Sequence, residues 1–210
     1  MEEGYIKFKA RWEKSPALPI RFINQLNHWR QVLYQMKLIG AYANGVGFGN
    51  ISQRFGKSDH FIISGSGTGN LERLTADHYS LVTHFDIEHN MLECRGPVIA
   101  SSESMSHGII YRECKSVKGI IHVHHKYMWK RLVHNVPTTS KKAGYGTPEM
   151  VYEITRLLTE TDLMEKRIIV MEGHEEGIFT FGDSLDEAGD ILMKYYMNLG
   201  SPTDRKEKHP

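Results

Sequence analysis

Residues 119–125, GIIHVHH, constrain this chain more than any other stretch. A run of β-formers reads as a strand, and it closes in three histidines within four positions, either a metal site or surface imidazoles. Side chains two apart on a strand share a face, which puts His122 and His124 side by side and turns His125 the opposite way. The pair could hold one cation and suits zinc. It equally suits surface imidazoles in a chain with 12 histidines, so spacing alone leaves both readings open. A metal would need a third ligand. His174, just beyond an apolar strand in VMEGHEEGIF, is placed at a turn from which it can reach into a cleft.

The other segments surround that strand with alternating elements. Phe22, Leu26, Trp29, Leu33 and Met36 recur at helical spacing, and the glycines of LIGAYANGVGFGN end the helix. This stripe is core and carries no chemistry. ISQRF and HFIIS read as strands, and YSLVTHFDI with MLECRG as a hairpin pair. Residues 103–115 read as helix and 117–124 as strand. TPEMVYEITRLL reads as a helix with Thr147 as N-cap and Pro148 at its first position. RIIVME and EGIFTF are strands, and a closing helix follows, capped by Ser184 or Asp183. At 210 residues this amounts to one α/β domain with peripheral helices over residues 1–200, followed by a polar tail, expected to be disordered, at 201–210.

Charge and cysteine usage exclude several classes. Lys plus Arg number 26 against 25 acids, with no block of one sign in the body of the chain, which points to neither nucleic acid nor an anionic membrane as partner. No apolar stretch approaches bilayer length, the N-terminus has no apolar core of the signal-peptide kind, and two cysteines form no disulfide framework. The expectation is a soluble cytoplasmic protein.

Three further stretches are rich in glycine and small hydroxyls: GFGNIS (47–52), ISGSGTGN (63–70) and ASSES (100–104). Exposed N–H groups, an Asn amide and Ser hydroxyls can form an anion nest for a phosphate ester, although each loop alone could be a plain turn. Glu103 follows the paired serines at the start of a helix, where an acid can either perform chemistry or complement the helix dipole.

GNIS, SGSG, SSE with His107 four residues on, HVH and a downstream His, in this order, resemble the class II aldolase/adducin family over about residues 22–198. The characterised type they most resemble is the L-fuculose-1-phosphate aldolase group. The resemblance implies a single domain with a central, mainly antiparallel β-sheet flanked by helices in an α/β/α arrangement. It implies Glu103 as catalytic acid/base and one zinc ion per chain on His122, His124 and His174. Asn50, Ser66, Gly67, Ser101 and Ser102 would bind the substrate phosphate. The activity implied is reversible cleavage of a ketose 1-phosphate to dihydroxyacetone phosphate and an aldehyde, in a homo-oligomer, a tetramer with the active site near the subunit interface. Relatives acting as ribulose-phosphate 4-epimerases usually carry Asp at position 103, dehydratase relatives usually Cys, and adducin-like binding modules have lost the metal ligands. Glu103 and the three histidines therefore favour the aldolase. Two departures stand out. The family's ligand histidine directly precedes a glycine, whereas GHEEG puts Glu175 and Glu176 between them, so either His174 or Glu176 takes that position. The family's proton-donor tyrosine lies in a longer segment than NVPTTSKKAGYGT provides and has no counterpart there, so either Tyr145 takes that role or the substrate differs.

Overall fold

The computed structural model describes residues 5–199; the expected tail at 201–210 lies outside the described residues. Eight strands form one sheet: β1 (Lys9–Lys14), β4 (Asn50–Arg54), β5 (Phe61–Ser64), β6 (Tyr79–Asp86), β7 (Met91–Gly96), β8 (Gly119–His124), β9 (Ile168–Val170) and β10 (Gly177–Gly182). Their order is β1-β7-β6-β5-β4-β8-β10-β9. Every pairing but one is antiparallel; β1 alone runs parallel to its neighbour β7. A small ribbon, β2 (Gly40–Ala41) with β3 (Gly47–Phe48), sits apart from the sheet.

Helices cover both faces, because strand residues alternate between two apolar clusters. Ile120 packs with Phe61, Ile63 and Phe179 beneath α2 (Ser104–Glu113) and α4 (Pro148–Glu160). Ile121 and Val123 pack with Ile51 and Ile178 beneath α1 (Asn24–Gln35) and α6 (Leu185–Met197). Two short helices, α3 (Lys126–Leu132) and α5 (Leu163–Lys166), complete the set. The expected three-layer architecture is the one found. Burying each such Leu or Ile contributes roughly 1.5–3 kcal/mol, so the two clusters hold the sheet flat between its covers.

The local signals act as expected. Leu26 and Leu33 of the α1 stripe are fully buried. Ser184 caps α6 by accepting from the Glu187 N–H at 3.0 Å. Thr147 is the N-cap residue of α4, but its hydroxyl donates to Gly144 O instead of capping the helix. At the far end of α2, Arg54 donates to Tyr111 O and Cys114 O, placing a cation on the negative end of the helix dipole and tying α2 to β4. β1 was not anticipated. Ile6, Phe8, Ala10 and Trp12 alternate with Lys7, Lys9, Arg11 and Glu13 there, a period-2 signal the sequence reading passed over, although all six β1 residues are exposed. Among the described residues no helix is long and apolar enough to cross a membrane.

Candidate active site

β8 is hydrogen-bonded on one side to β4 and on the other to β10, so its end lies inside the sheet and not at an edge. His122 and His124 project with Ile120 toward the α2 side and are buried, while His125 turns away to cap α3, accepting from Met128 N–H. His174 comes from the turn between β9 and β10. Met171 O accepts from His174 N–H at 3.3 Å and His174 O from Gly177 N–H at 2.9 Å, with Glu176 in the left-handed region at φ 73°. This turn accommodates both glutamates. It also requires Gly177, where a Cβ would lie 2.4 Å from the His174 ring. His174 Nε2 thereby lies 2.9 Å from His124 Nε2, which is 3.2 Å from His122 Nε2.

Hydrogen bonds on the far side of two of the rings set their tautomers. His122 donates from Nδ1 to Ile178 O at 3.2 Å, leaving Nε2 without a proton. The Tyr42 hydroxyl donates to Glu176 Oε2 at 3.1 Å, so its oxygen accepts from His124 Nδ1–H at 2.9 Å, which likewise strips the proton from His124 Nε2. Two nitrogen lone pairs then face each other in a dry site, an arrangement that a cation between them relieves. Burial, followed by the neighbouring imidazoles, holds His122 and His124 well below their ordinary range; burial, then the Lys7 ammonium, takes His174 down to about 3. All three are neutral at pH 7. Their ligand atoms lie within 4.8 Å of one another, and the group could hold a divalent metal. Glu176, the alternative third ligand, accepts from the Tyr42 hydroxyl.

Glu103 stands against this group. Its Oε1 lies 3.7 Å from His174 Nε2 and 3.9 Å from His122 Nε2, while Ser106 donates to Oε2 at 3.2 Å. It occupies the N-cap position of α2 without capping the helix, and it is 3 % exposed. A carboxylate that gives the helix no cap bond and is turned toward three imidazoles is poorly explained as a helix-start acid.

A cleft of about 260 Å³ opens over these groups, and Asn50, Ser66, Gly67, Ser101, Ser102 and Tyr145 all line it. Loop 65–69 lies alongside the start of α2 through the Gly65–Ala100 bridge and the Ser66 N–H bond to Ile99 O. The hydroxyls, loop amides and positive helix end thus face one space, as an anion site requires. Among the described residues no Lys or Arg lines it. Arg30 stands behind it: 1 % exposed, it donates to Thr68 O and Gly69 O at 3.1 and 3.0 Å and to Glu72 O at 3.0 Å, holding those carbonyls away from the cleft. The sequence reading missed Arg30, Tyr42 and Lys7. Arg30 has a legible signal, a charge four residues after Leu26 and three before Leu33 on a buried stripe. Tyr42 and Lys7 have none, since only the fold brings them here. The Lys7 ammonium sits 3.7 Å from the centroid of the buried Tyr145 ring, which is 4.8 Å from the His174 ring.

These features define an α/β/α protein with a three-histidine centre able to take a metal, beside a cleft lined by hydroxyls, an Asn amide and glycine-rich loop backbone. The family model of the Class II Aldolase and Adducin N-terminal domain matches residues 34–195, and the chain belongs to that family. Among solved structures it is similar to an L-fuculose 1-phosphate aldolase (TM-score 0.61, 18% identity, covering 89% of this chain and 91% of that one). It is also similar to a sugar-phosphate aldolase from Thermotoga maritima (TM-score 0.65, 16% identity, 90% and 97% covered). A third similar structure is YgbL from Klebsiella pneumoniae, whose description leaves aldolase, epimerase and decarboxylase open (TM-score 0.65, 14% identity, 90% and 91% covered). No curated protein matches the sequence. At these identities the structures establish the shared fold.

Proposed function

We propose that the protein is a zinc-dependent class II aldolase that cleaves a ketose 1-phosphate, reversibly, to dihydroxyacetone phosphate and an aldehyde. The observation that carries this reading is the approach of the Glu103 carboxylate to within 4 Å of two of the three converging imidazoles, at the floor of a cleft built for an anion. His122, His124 and His174 would hold the ion, which when bound supplies Lewis acidity for a carbonyl oxygen. In the condensation direction Glu103 takes a proton from the hydroxymethyl carbon of dihydroxyacetone phosphate. The electron pair left there forms the new bond to the aldehyde carbon, and the aldehyde oxygen takes up a proton, for which Tyr145 is the donor. The Lys7 ammonium over the Tyr145 ring favours the negative charge the phenol then carries. Asn50, Ser66, Gly67, Ser101 and Ser102 hold the phosphate. A homotetramer with the cleft near the subunit interface, and a cytoplasmic location, belong to the same reading.

Metal analysis of protein purified without chelators, followed by a screen of aldehydes with dihydroxyacetone phosphate, tests it. About one zinc per chain and carbon–carbon bond formation are expected. Protein that stays metal-free after zinc reconstitution overturns the metal assignment. Isomerisation of a pentulose phosphate without aldehyde release would instead identify a 4-epimerase. A metal-free protein inert in both assays would be an adducin-like binding module.

A further inference from the structure

Asn50 and Ser52 are two apart on β4, and His107 and Tyr111 are four apart on α2, so each pair shares a face of its element. Packing α2 on the sheet joins them into one chain of hydrogen bonds. His107 Nε2 lies 2.6 Å from Asn50 Oδ1, His107 Nδ1 lies 2.7 Å from Ser52 Oγ, and Ser52 Oγ lies 2.8 Å from the Tyr111 hydroxyl. Ser52, His107 and Tyr111 are fully buried, and Asn50 lines the cleft at 6 % exposed.

The direction of this chain follows from counting protons. Burial takes His107 down to about 3, so the ring is neutral, with one donor nitrogen and one acceptor. Two arrangements are conceivable. In one, Tyr111 donates to Ser52, Ser52 to His107 Nδ1, and His107 Nε2–H to Asn50 Oδ1. In the other every bond is reversed: the Asn50 amide must flip to turn its NH₂ to His107, and the Tyr111 O–H loses Ser52 Oγ, its hydrogen-bond partner among the described residues, as an acceptor. A buried donor without an acceptor is costly, so the first arrangement wins. It fixes the Asn50 amide as well: the carbonyl is spent inward on His107, and the NH₂ group is turned to the cleft.

We propose that Tyr111, Ser52 and His107 are positioning residues that set the orientation of the Asn50 amide, presenting two N–H donors and no carbonyl lone pair to a bound phosphate group. This rests on the reading of the cleft as a phosphate site. The chain gives a neutral side chain the one-sidedness of a cation without burying a charge at the contact, in a cleft that no Lys or Arg lines among the described residues. A carbonyl in place of the amide would meet the phosphate oxygens with like partial charge.

The test compares metal-loaded wild type with Tyr111→Phe, Ser52→Ala, Ser52→Thr and Asn50→Asp. Calorimetric titrations use inorganic phosphate and dihydroxyacetone phosphate, and ¹⁵N-histidine NMR reports which His107 nitrogen carries the proton. The expected result is an Nε2–H tautomer in wild type. Phosphate affinity should be about threefold to tenfold weaker in Tyr111→Phe and Ser52→Ala, the size of one lost hydrogen bond, and restored in Ser52→Thr. Metal content and, in steady state, kcat should change far less than KM, which a general loss of structure would not permit. An Nδ1–H tautomer in wild type overturns the proposal. So do folded Tyr111→Phe and Ser52→Ala proteins that bind phosphate as wild type does. Should Tyr111→Phe fail to fold, the Ser52 pair and the wild-type tautomer still decide. Wild type that binds neither probe, or Asn50→Asp that binds as well as wild type, overturns the phosphate reading instead, and the tautomer measurement separates the two failures.

Discussion

His107 and the trio His122, His124 and His174 are all buried on the α2 side of one sheet, and all are held neutral by burial, yet their hydrogen-bond accounts differ. Both nitrogens of His107 are taken up by neighbours, Ser52 and Asn50. In the trio each Nε2 converges on the same small space, and for His122 and His124 the other nitrogen is held by Ile178 O and by Tyr42. A depressed pKa therefore does not distinguish a positioning histidine from a metal-competent one. What distinguishes them is whether a lone pair is left pointing at other lone pairs.

That contrast can be broken outright by substitution. His122→Ala or His124→Ala should reduce bound zinc from about one ion per chain to none by elemental analysis, and His174→Ala should weaken zinc by orders of magnitude in a metal titration. His107→Gln should leave the stoichiometry unchanged, and loss of zinc in that variant would erase the distinction. Next in size, Glu103→Gln should keep both fold and zinc while lowering turnover roughly a hundredfold or more, because the amide cannot carry the proton. Near-wild-type turnover would return Glu103 to the role of a helix-start acid.

A smaller effect sharpens the trio's own boundary. Glu176 accepts from the Tyr42 hydroxyl that in turn meets His124, so Glu176→Ala should weaken zinc by no more than about a hundredfold, and Tyr42→Phe by about tenfold. If Glu176→Ala costs more affinity than His174→Ala, the third ligand is the carboxylate. The smallest effect is on stability against pH. The His107 and His174 pKa values lie at about 3 in the folded chain, against 6.5 for an ordinary imidazole. Between those values the unfolded chain binds protons that the folded chain does not, so stability is complete above 6.5 and falls as pH drops toward 3. Denaturant titrations of the metal-free protein should show a loss of about 1 kcal/mol per pH unit for each such histidine. Zinc should steepen the loss through the trio, whose protons displace the ion, and leave the share of His107 unchanged.

Legibility followed local physics. The β8 segment was readable because a strand between two others, buried on both faces, must be apolar wherever it carries no chemistry. α4 and α6 were readable from cap residues and stripes at helical period. β1 had a legible alternation in Ile6, Phe8, Ala10 and Trp12 that was passed over, while its parallel pairing with β7, about 80 positions away, had no local signal. Ser101, Ser102 and Glu103 could be singled out as a motif, but not the direction in which the carboxylate turns.

By itself the sequence determined that His122 and His124 share a face, that α2 begins beside Glu103, and that the chain has the ordered motifs of its family, because each depends on spacing along one element. The tertiary structure alone brought His174 to the pair, Tyr42 and Lys7 to the site, and Tyr111 into one hydrogen-bonded chain with an amide on another element. Those outcomes depend on contacts between residues tens of positions apart, and such contacts exist only once two apolar layers have closed on the sheet and excluded the water that would otherwise satisfy each polar group separately.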